Sequence, residues 1–158
     1  MKPRLHLLAM PWTKPNYPSI QIASLQAYID ATLGQTVRTY AYSAYLPVYF
    51  KAFGADLFKK FSNYHDCGEL AYLFIHARNF TETTLSYERL AERFNRQKYS
   101  CQVDAADLYR LEAATFAFLE ETLVPNLSRT APNVIGFTLN YSQVYSSLSC
   151  MAYLRERH

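Results

Sequence analysis

The sequence predicts an α/β fold, in which three parallel strands form a sheet in the order 2-1-3 and a large helical insertion separates strands 2 and 3. Apolar segments at Leu5–Met10 and Val134–Thr138 are typical of buried strands. A third segment, Thr36–Tyr42, is rich in β-branched and aromatic residues and predicts the second strand. Helical patterns fill residues 43–130, which is longer than the minimal crossover between parallel strands.

The first strand leads through a tight turn into a helix. Pro11 and Trp12 end the apolar run, and Ser19, directly after Pro18, is a good N-cap because its hydroxyl can accept from free backbone N–H groups. Apolar residues then recur at helical spacing, at Ile22, Leu25, Ile29 and Leu33. We expect this face to lie on the sheet and Gly34 to end the helix. The connection to the second strand should be right-handed.

Four helical segments are predicted within the insertion. They are Ala55–Phe61, Gly68–Arg78, Thr84–Phe94 and Ala105–Leu123. The last is the longest and carries a stripe at Leu108, Leu111, Thr115, Leu119 and Leu123. Pro125 is expected to stop it.

The third strand should be covered on both faces, because its apolar run is nearly continuous. A last amphipathic helix carries Val144, Leu148, Met151 and Leu154. Three strands make a thin sheet, so we expect residues 1–158 to form a single domain that is a fragment of a longer protein. The outer edge of strand three would then be uncovered and Val144, Leu148 and Met151 only partly buried, which favours a homo-oligomer.

Composition excludes several classes of protein. The 158 residues are half hydrophobic and carry a net charge of +3, with scattered Lys and Arg, so neither disorder nor a nucleic-acid footprint is expected. No apolar run suits a membrane span or a signal peptide, which predicts a cytoplasmic protein without a membrane partner. Cys67, Cys101 and Cys150 are widely spaced and odd in number, and we expect three buried thiols that act as small hydrophobes.

A binding site is expected at the carboxyl ends of the strands, where open parallel sheets hold ligands. The residues placed there by the prediction are Pro11, Trp12, Ser19, Ser43, Asn140, Tyr141, Ser142 and Gln143. Trp12, the only tryptophan, would either stack on a flat ligand or plug the space under the insertion. Asn140 and Gln143 would either donate to a ligand or cap the last helix, and capping is the commoner role.

Other chemistry has little support in the sequence. The glycines are isolated, so no phosphate-binding GxGxxG or GxxxxGK[ST] motif is present. His65, Asp66 and Cys67, with Glu69 and His76 nearby, match no standard metal-ligand spacing. A loop followed by a helix start at Gly68 is the favoured interpretation of that cluster. No catalytic triad is evident, so we assign no catalytic residue and no metal ligand.

Three stretches resemble one known family, the cobalamin-dependent radical SAM enzymes that modify ribosomally synthesised peptides (RiPPs). Met10-Pro11-Trp12 followed by Pro18-Ser19-Ile20-Gln21 is similar to the opening of those enzymes. The segment Gly68–Phe74 resembles the G-E-W-L-F segment of the family's insertion. Val134–Thr138, with Gln143, Ser147 and Leu148, resembles its V-G-F-[ST] strand and following helix. The resemblance spans essentially the whole chain in the same order.

The resemblance implies a truncated, Rossmann-like, cobalamin-binding domain of a RiPP maturation methyltransferase that C-methylates a precursor peptide. Cobalamin would meet the residues Pro11, Trp12, Ser19, Asn140, Tyr141, Ser142 and Gln143. The family's CxxxCxxC and the cobalamin signature DxHxxG are absent here, which puts the iron–sulfur cluster and S-adenosylmethionine outside this chain. The domain would position cofactor or peptide and would not be catalytic alone. The alternative is a free-standing module that binds a peptide or partner protein.

Overall fold

The computed structural model contains one sheet of three parallel strands. It describes residues 2–10, 20–42, 51, 54–56, 58–61, 65–81, 84–97, 101–139 and 143–157. The strands are β1 (Arg4–Leu8), β2 (Arg38–Tyr42) and β3 (Val134–Phe137), and their order is β2-β1-β3. Leu8 at the end of β1 pairs with Tyr42 on one side and Phe137 on the other. The predicted topology is therefore confirmed, with strands slightly shorter than expected.

The central strand forms the middle of the core. Leu7, Leu8, Ala9 and Met10 are all buried, so burial continues for two residues beyond the end of β1. Backbone bonds from Arg38 N–H to the Pro3 oxygen and from Thr138 N–H to the Leu8 oxygen extend the pairing at both ends. This arrangement explains the unbroken apolar run in the sequence, because the strand is covered on both faces.

Helix α1 (Ile20–Leu33) joins β1 to β2 but covers less than its pattern predicted. Ile22 alone is fully buried among the four residues of the expected face, while Leu25 and Leu33 are 45% and 50% exposed. Among the described elements the helix packs mainly on β2 and β1, and this support leaves part of the stripe exposed. The expected N-cap Ser19 lies outside the described residues. Gly34 follows the helix as predicted, and its N–H donates to the Asp30 oxygen.

The connection from β2 to β3 is helical in its described parts, as expected. Its main helices are α2 (His65–Phe80), α3 (Tyr87–Arg96) and α4 (Ala105–Phe118), and residues 54–56 and 58–61 are also helical. Ser86 caps α3 by accepting from the Arg89 N–H, and Asp104 and Asp107 form a reciprocal capping box on α4. The cap at Ser86 starts α3 at Tyr87, three residues after the predicted Thr84, whereas α4 starts at the predicted Ala105.

The helix did not stop at Pro125, so that prediction was wrong. A π-helical segment, Leu119–Leu123, follows α4 and passes directly into α5 (Val124–Thr130). In the wider π-helical turn, the Val124 N–H donates to the Leu119 oxygen. Pro125 then lies in the first turn of α5, where backbone N–H groups have no partner within the helix, so the absence of an N–H in proline costs little. The chain turns out of α5 at Ala131, whose φ is 44°. All five residues of the predicted stripe are buried.

Two of the three cysteines are joined, contrary to expectation. Cys67 on α2 and Cys101 before α4 form a disulfide with Cα atoms 6.7 Å apart. They lie 34 residues apart in sequence, and only the packing of the insertion brings them together. Cys150 is a buried free thiol, as predicted, and burial raises its pKa.

The last helix, α6 (Val144–Arg157), packs on α2 in the most extensive helix pair of the described chain. Its buried side carries small side chains, at Ser146, Ser147, Ser149 and Cys150, which allow the helices to approach closely. The apolar residues Val144, Leu148 and Met151 are only partly buried, as predicted. The third strand is less covered than expected, because Val134 is 58% exposed.

Candidate functional site

The carboxyl edge of the sheet is the candidate site, because the carboxyl ends of the paired strands β1 and β3 lie side by side there. Strand β1 lies between β2 and β3, so the chain passes from β1 to one neighbour and later crosses to the other. In open parallel sheets, ligands bind beyond the carboxyl ends of the strands at the point where the strand order reverses. The described residues at this edge are Ala9, Met10, Thr138, Leu139 and Gln143.

Gln143 joins the two strand ends. Its side chain is fully buried, and Nε2 donates to the Met10 backbone oxygen at 2.6 Å. Its Oε1 accepts from the Thr138 hydroxyl at 3.0 Å. Both ends of the amide are therefore used inside the protein. Gln143 holds β1 and β3 at a fixed separation and is not itself exposed to a ligand.

The start of α6 continues this polar network. The Gln143 backbone oxygen accepts from the Ser147 N–H and from the Ser146 hydroxyl, each at 3.1 Å. The Ser147 hydroxyl also lies 3.3 Å from the Thr138 backbone oxygen, which it can reach as a donor. These bonds tie the first turn of α6 to the end of β3, so the helix and the strand move as one unit.

Glu69 connects the insertion to the same place. Its Oε1 accepts from the Tyr145 N–H at 2.9 Å, and the Val144 N–H also donates to the carboxylate. A carboxylate from α2 thus caps the N-terminus of α6, where free N–H groups and the helix dipole favour negative charge. Burial raises the pKa of Glu69, and the two backbone N–H groups oppose that shift. Its Oε2 is buried with no hydrogen-bond partner among the described residues.

His76 also faces α6, about two turns further along α2 than Glu69. Its Nδ1 lies 3.4 Å from the Ser149 hydroxyl, and burial lowers the pKa of its imidazole. Helix α2 already contains His65 and Cys67, so the expected loop ahead of a helix start at Gly68 is wrong. The side chains of His65 and Asp66 lie outside the described part. Within that part, no group of three or more potential ligands is arranged to hold a metal ion.

A second polar cluster lies inside the insertion and joins three helices. Arg78 lies 3.5 Å from Glu112, and its guanidinium stands over the Tyr87 ring at 4.2 Å. The Tyr87 hydroxyl donates to Glu112 at 2.8 Å. Burial and the neighbouring Glu112 raise the pKa of Tyr87. These contacts join α2, α3 and α4, although Arg78 Nε and Glu112 Oε2 are buried without a hydrogen-bond partner among the described residues.

Most of the sequence-predicted site cannot be placed. Six of the seven residues proposed to bind cofactor lie outside the described residues. They are Pro11, Trp12, Ser19, Asn140, Tyr141 and Ser142. Ser43, which was also predicted at this edge, lies outside them as well. Gln143 is placed at the expected edge. The sequence analysis missed the role of Glu69 in this site, although a single carboxylate in the apolar segment Gly68–Phe74 was a signal of a polar contact.

Comparisons of this chain with protein-family models, with curated proteins and with solved structures found no match. The described helices include none that is both long and apolar enough to cross a membrane.

Proposed function

We propose that this chain is the N-terminal, cobalamin-binding-like domain of a radical SAM methyltransferase that modifies ribosomally synthesised peptides. The proposal rests on a set of hydrogen bonds at the carboxyl edge, which we call the polar brace. In it, Gln143 joins β1 to β3 and Glu69 caps α6. Such bracing is what a crevice needs if it is to present a rigid edge to a large, flat cofactor. The sequence resemblance supplies the identity of that cofactor and of the precursor peptide.

The fit to cobalamin divides the predicted residues into two groups. Gln143 does not fit a direct contact, because its amide is buried and both of its ends are bonded within the protein. It fits a positioning role at the two strand ends that it joins. The proposed contacts are Pro11, Trp12, Ser19, Asn140, Tyr141 and Ser142. When bound, a corrinoid supplies a transferable methyl group, while S-adenosylmethionine and the iron–sulfur cluster would belong to another part of the enzyme.

Titration with hydroxocobalamin, followed by fluorescence of Trp12, tests the proposal. We expect weak, saturable quenching, because three strands provide only part of a corrinoid pocket. Gln143→Ala should weaken binding further, whereas Gln97→Ala, a change at the exposed end of α3, should not. Tight binding would contradict the incomplete pocket. Absence of binding, both to this chain and to a longer chain that continues through a radical SAM barrel, would remove cobalamin from the proposal.

A second candidate function is a module that binds a peptide or another copy of itself. The observation that favours it is apolar exposure at the β3 side of the molecule, where Val134, Leu139 and Leu148 are 58%, 59% and 36% exposed. A groove of about 470 Å³, lined by Leu127, Ile135 and Leu154 among others, adds apolar surface at β3. Light scattering over a dilution series tests this, since a monomer at every concentration would exclude self-association through this side.

We also propose that the protein works in the cytoplasm. Glutathione would then keep Cys67 and Cys101 largely as thiols, and the disulfide would form under oxidising conditions. Counting reactive thiols in freshly lysed and denatured protein tests this location. Three thiols per chain are expected, and one thiol would place the protein in an oxidising compartment.

A further inference from the structure

The opposite edge of the sheet, at the amino ends of the strands, contains a basic cleft. The cleft has a volume of about 470 Å³ and lies between the start of β1, the end of α1 and the start of β2. Lys2, Arg4 and Arg38 line it, and Asp30 is the single carboxylate among its lining residues. Three cationic side chains and one carboxylate leave an excess of two positive charges. A smaller cleft that shares Lys2 and Arg4 continues along the same edge towards Asn133.

Two of these cations are direct neighbours across the sheet. Arg4 and Arg38 are register partners in the parallel pair of β1 and β2, so their side chains leave the same face of the sheet side by side. Like charges placed opposite each other in a sheet are destabilising. Arg4 is held in place, because its Nη1 donates to the Thr130 backbone oxygen. An anion bound between the two guanidinium groups would reduce this repulsion.

The remaining donors of the cleft are only partly used. Lys2 Nζ donates to the Gly34 backbone oxygen at 3.3 Å, which engages one of its three N–H groups. Among the described residues, neither Lys2 nor Arg38 forms an ion pair with a carboxylate. Thr39 also lines the cleft, and its buried hydroxyl has no hydrogen-bond partner in the described part of the chain.

We propose that this cleft binds a small dianionic oxyanion of the phosphate class, held between Arg4, Arg38 and Lys2. The excess of two positive charges matches the charge of a phosphate monoester near neutral pH. Guanidinium groups suit this ligand because their planar forks donate paired hydrogen bonds to phosphate oxygens. The site lies at the edge of the sheet opposite to the proposed corrinoid crevice, so it does not depend on the proposed function.

Thermal unfolding in increasing phosphate, at an ionic strength kept constant with sodium chloride, tests the proposal. The wild-type melting temperature should rise and then saturate, as expected for a ligand that binds only the folded state. Arg38→Gln should weaken phosphate binding about tenfold or more, because one charged hydrogen-bonding partner is lost. The matched control is Arg89→Gln, which removes an exposed arginine from α3, outside the cleft, and should leave the response unchanged.

The comparison between variants decides the outcome. Phosphate also stabilises proteins generally, by exclusion from their surface, and that effect would be the same in all three proteins. An equal, unsaturated rise in wild type, Arg38→Gln and Arg89→Gln would therefore overturn the proposal. Amide NMR shifts should change at Lys2, Arg4 and Arg38, and changes elsewhere only would also overturn it. Repeating the titration with phenyl phosphate identifies the source of the phosphate group. If the cleft serves a phosphorylated molecule, phenyl phosphate should bind more tightly than inorganic phosphate. If it serves free phosphate, phenyl phosphate should bind no more tightly.

Discussion

Replacing Glu69 by alanine should remove the cap that α2 places on α6. The carboxylate accepts from the Tyr145 N–H at 2.9 Å and also from the Val144 N–H, and both donors belong to the first turn of a helix. Loss of an N-cap acceptor, with its donors left partly buried, costs about 1–2 kcal/mol of folding free energy. In a protein of this size that corresponds to a decrease of about 2–8 °C in melting temperature.

Glu69→Gln separates the acceptor from the charge. Glutamine keeps an oxygen that can accept from the same N–H groups, so this variant should lose much less stability than Glu69→Ala. Burial raises the pKa of Glu69 above 4.5, so the folded protein holds this proton more tightly than the unfolded chain does. The contribution of Glu69 is then most favourable below pH 4.5 and declines as pH rises through the folded-state pKa. As pH rises through the folded-state pKa of Glu69, the stability of Glu69→Gln should therefore increase relative to that of the wild type.

Urea unfolding followed by circular dichroism at several pH values provides the measurement. Glu92→Ala is the matched control, because its side chain is 66% exposed and makes only a 3.7 Å surface pair with Arg96. Its cost should stay within about 0.5 kcal/mol. If Glu69→Ala unfolds at the same urea concentration as Glu92→Ala, the cap does not hold α6. If Glu69→Gln loses as much as Glu69→Ala, charge and not hydrogen bonding is responsible.

Three further changes test the fold by denaturation. Gly34→Ala should cost more than about 1 kcal/mol, because the new Cβ would lie 2.2 Å from the Asp30 oxygen, and unchanged urea midpoints would contradict this contact. Replacing Cys67 and Cys101 by serine should lower the free energy of unfolding by about 3–4 kcal/mol relative to the oxidised protein, because the disulfide closes a 34-residue separation. Relative to the reduced protein, the same variant should lose none of this loop-closure contribution. Phe94→Ala empties a fully buried site and should cost about 3–5 kcal/mol in calorimetry, whereas a cost below 1 kcal/mol would show that the insertion is loosely packed.

Sequence periodicity predicted the parts of this fold whose residues are covered on a regular face. The stripe from Leu108 to Leu123 is buried throughout because α4 and the π-helical segment face the core along their length. The predicted strand order placed the apolar segment Leu5–Met10 in the centre of the sheet, and the structure confirms it. Pro125 misled the prediction, since the rule that proline ends a helix assumes regular α-helical turns ahead of it.

The features that could not be predicted depend on contacts between distant segments. Nothing in the spacing of Cys67 and Cys101 indicates that the fold brings them together. Glu69 and Tyr145 are 76 residues apart, and the cap that joins them requires α2 to lie beside the start of α6. Gln143 was placed at the correct edge, yet its bond to Met10 spans 133 residues and changes its expected role from a contact to a brace.

Mapping hydroxocobalamin onto the backbone amides by NMR tests the proposed function most directly. We expect progressive shifts at Ala9 and Met10, at Leu139 and at the start of α6, because these residues surround the carboxyl ends of β1 and β3. The amides of Arg4 and Arg38, at the other edge of the sheet, should not move. Saturating shifts confined to the carboxyl edge would agree with a corrinoid crevice braced by Gln143. Shifts confined to the amino edge, or none at any concentration, would contradict it.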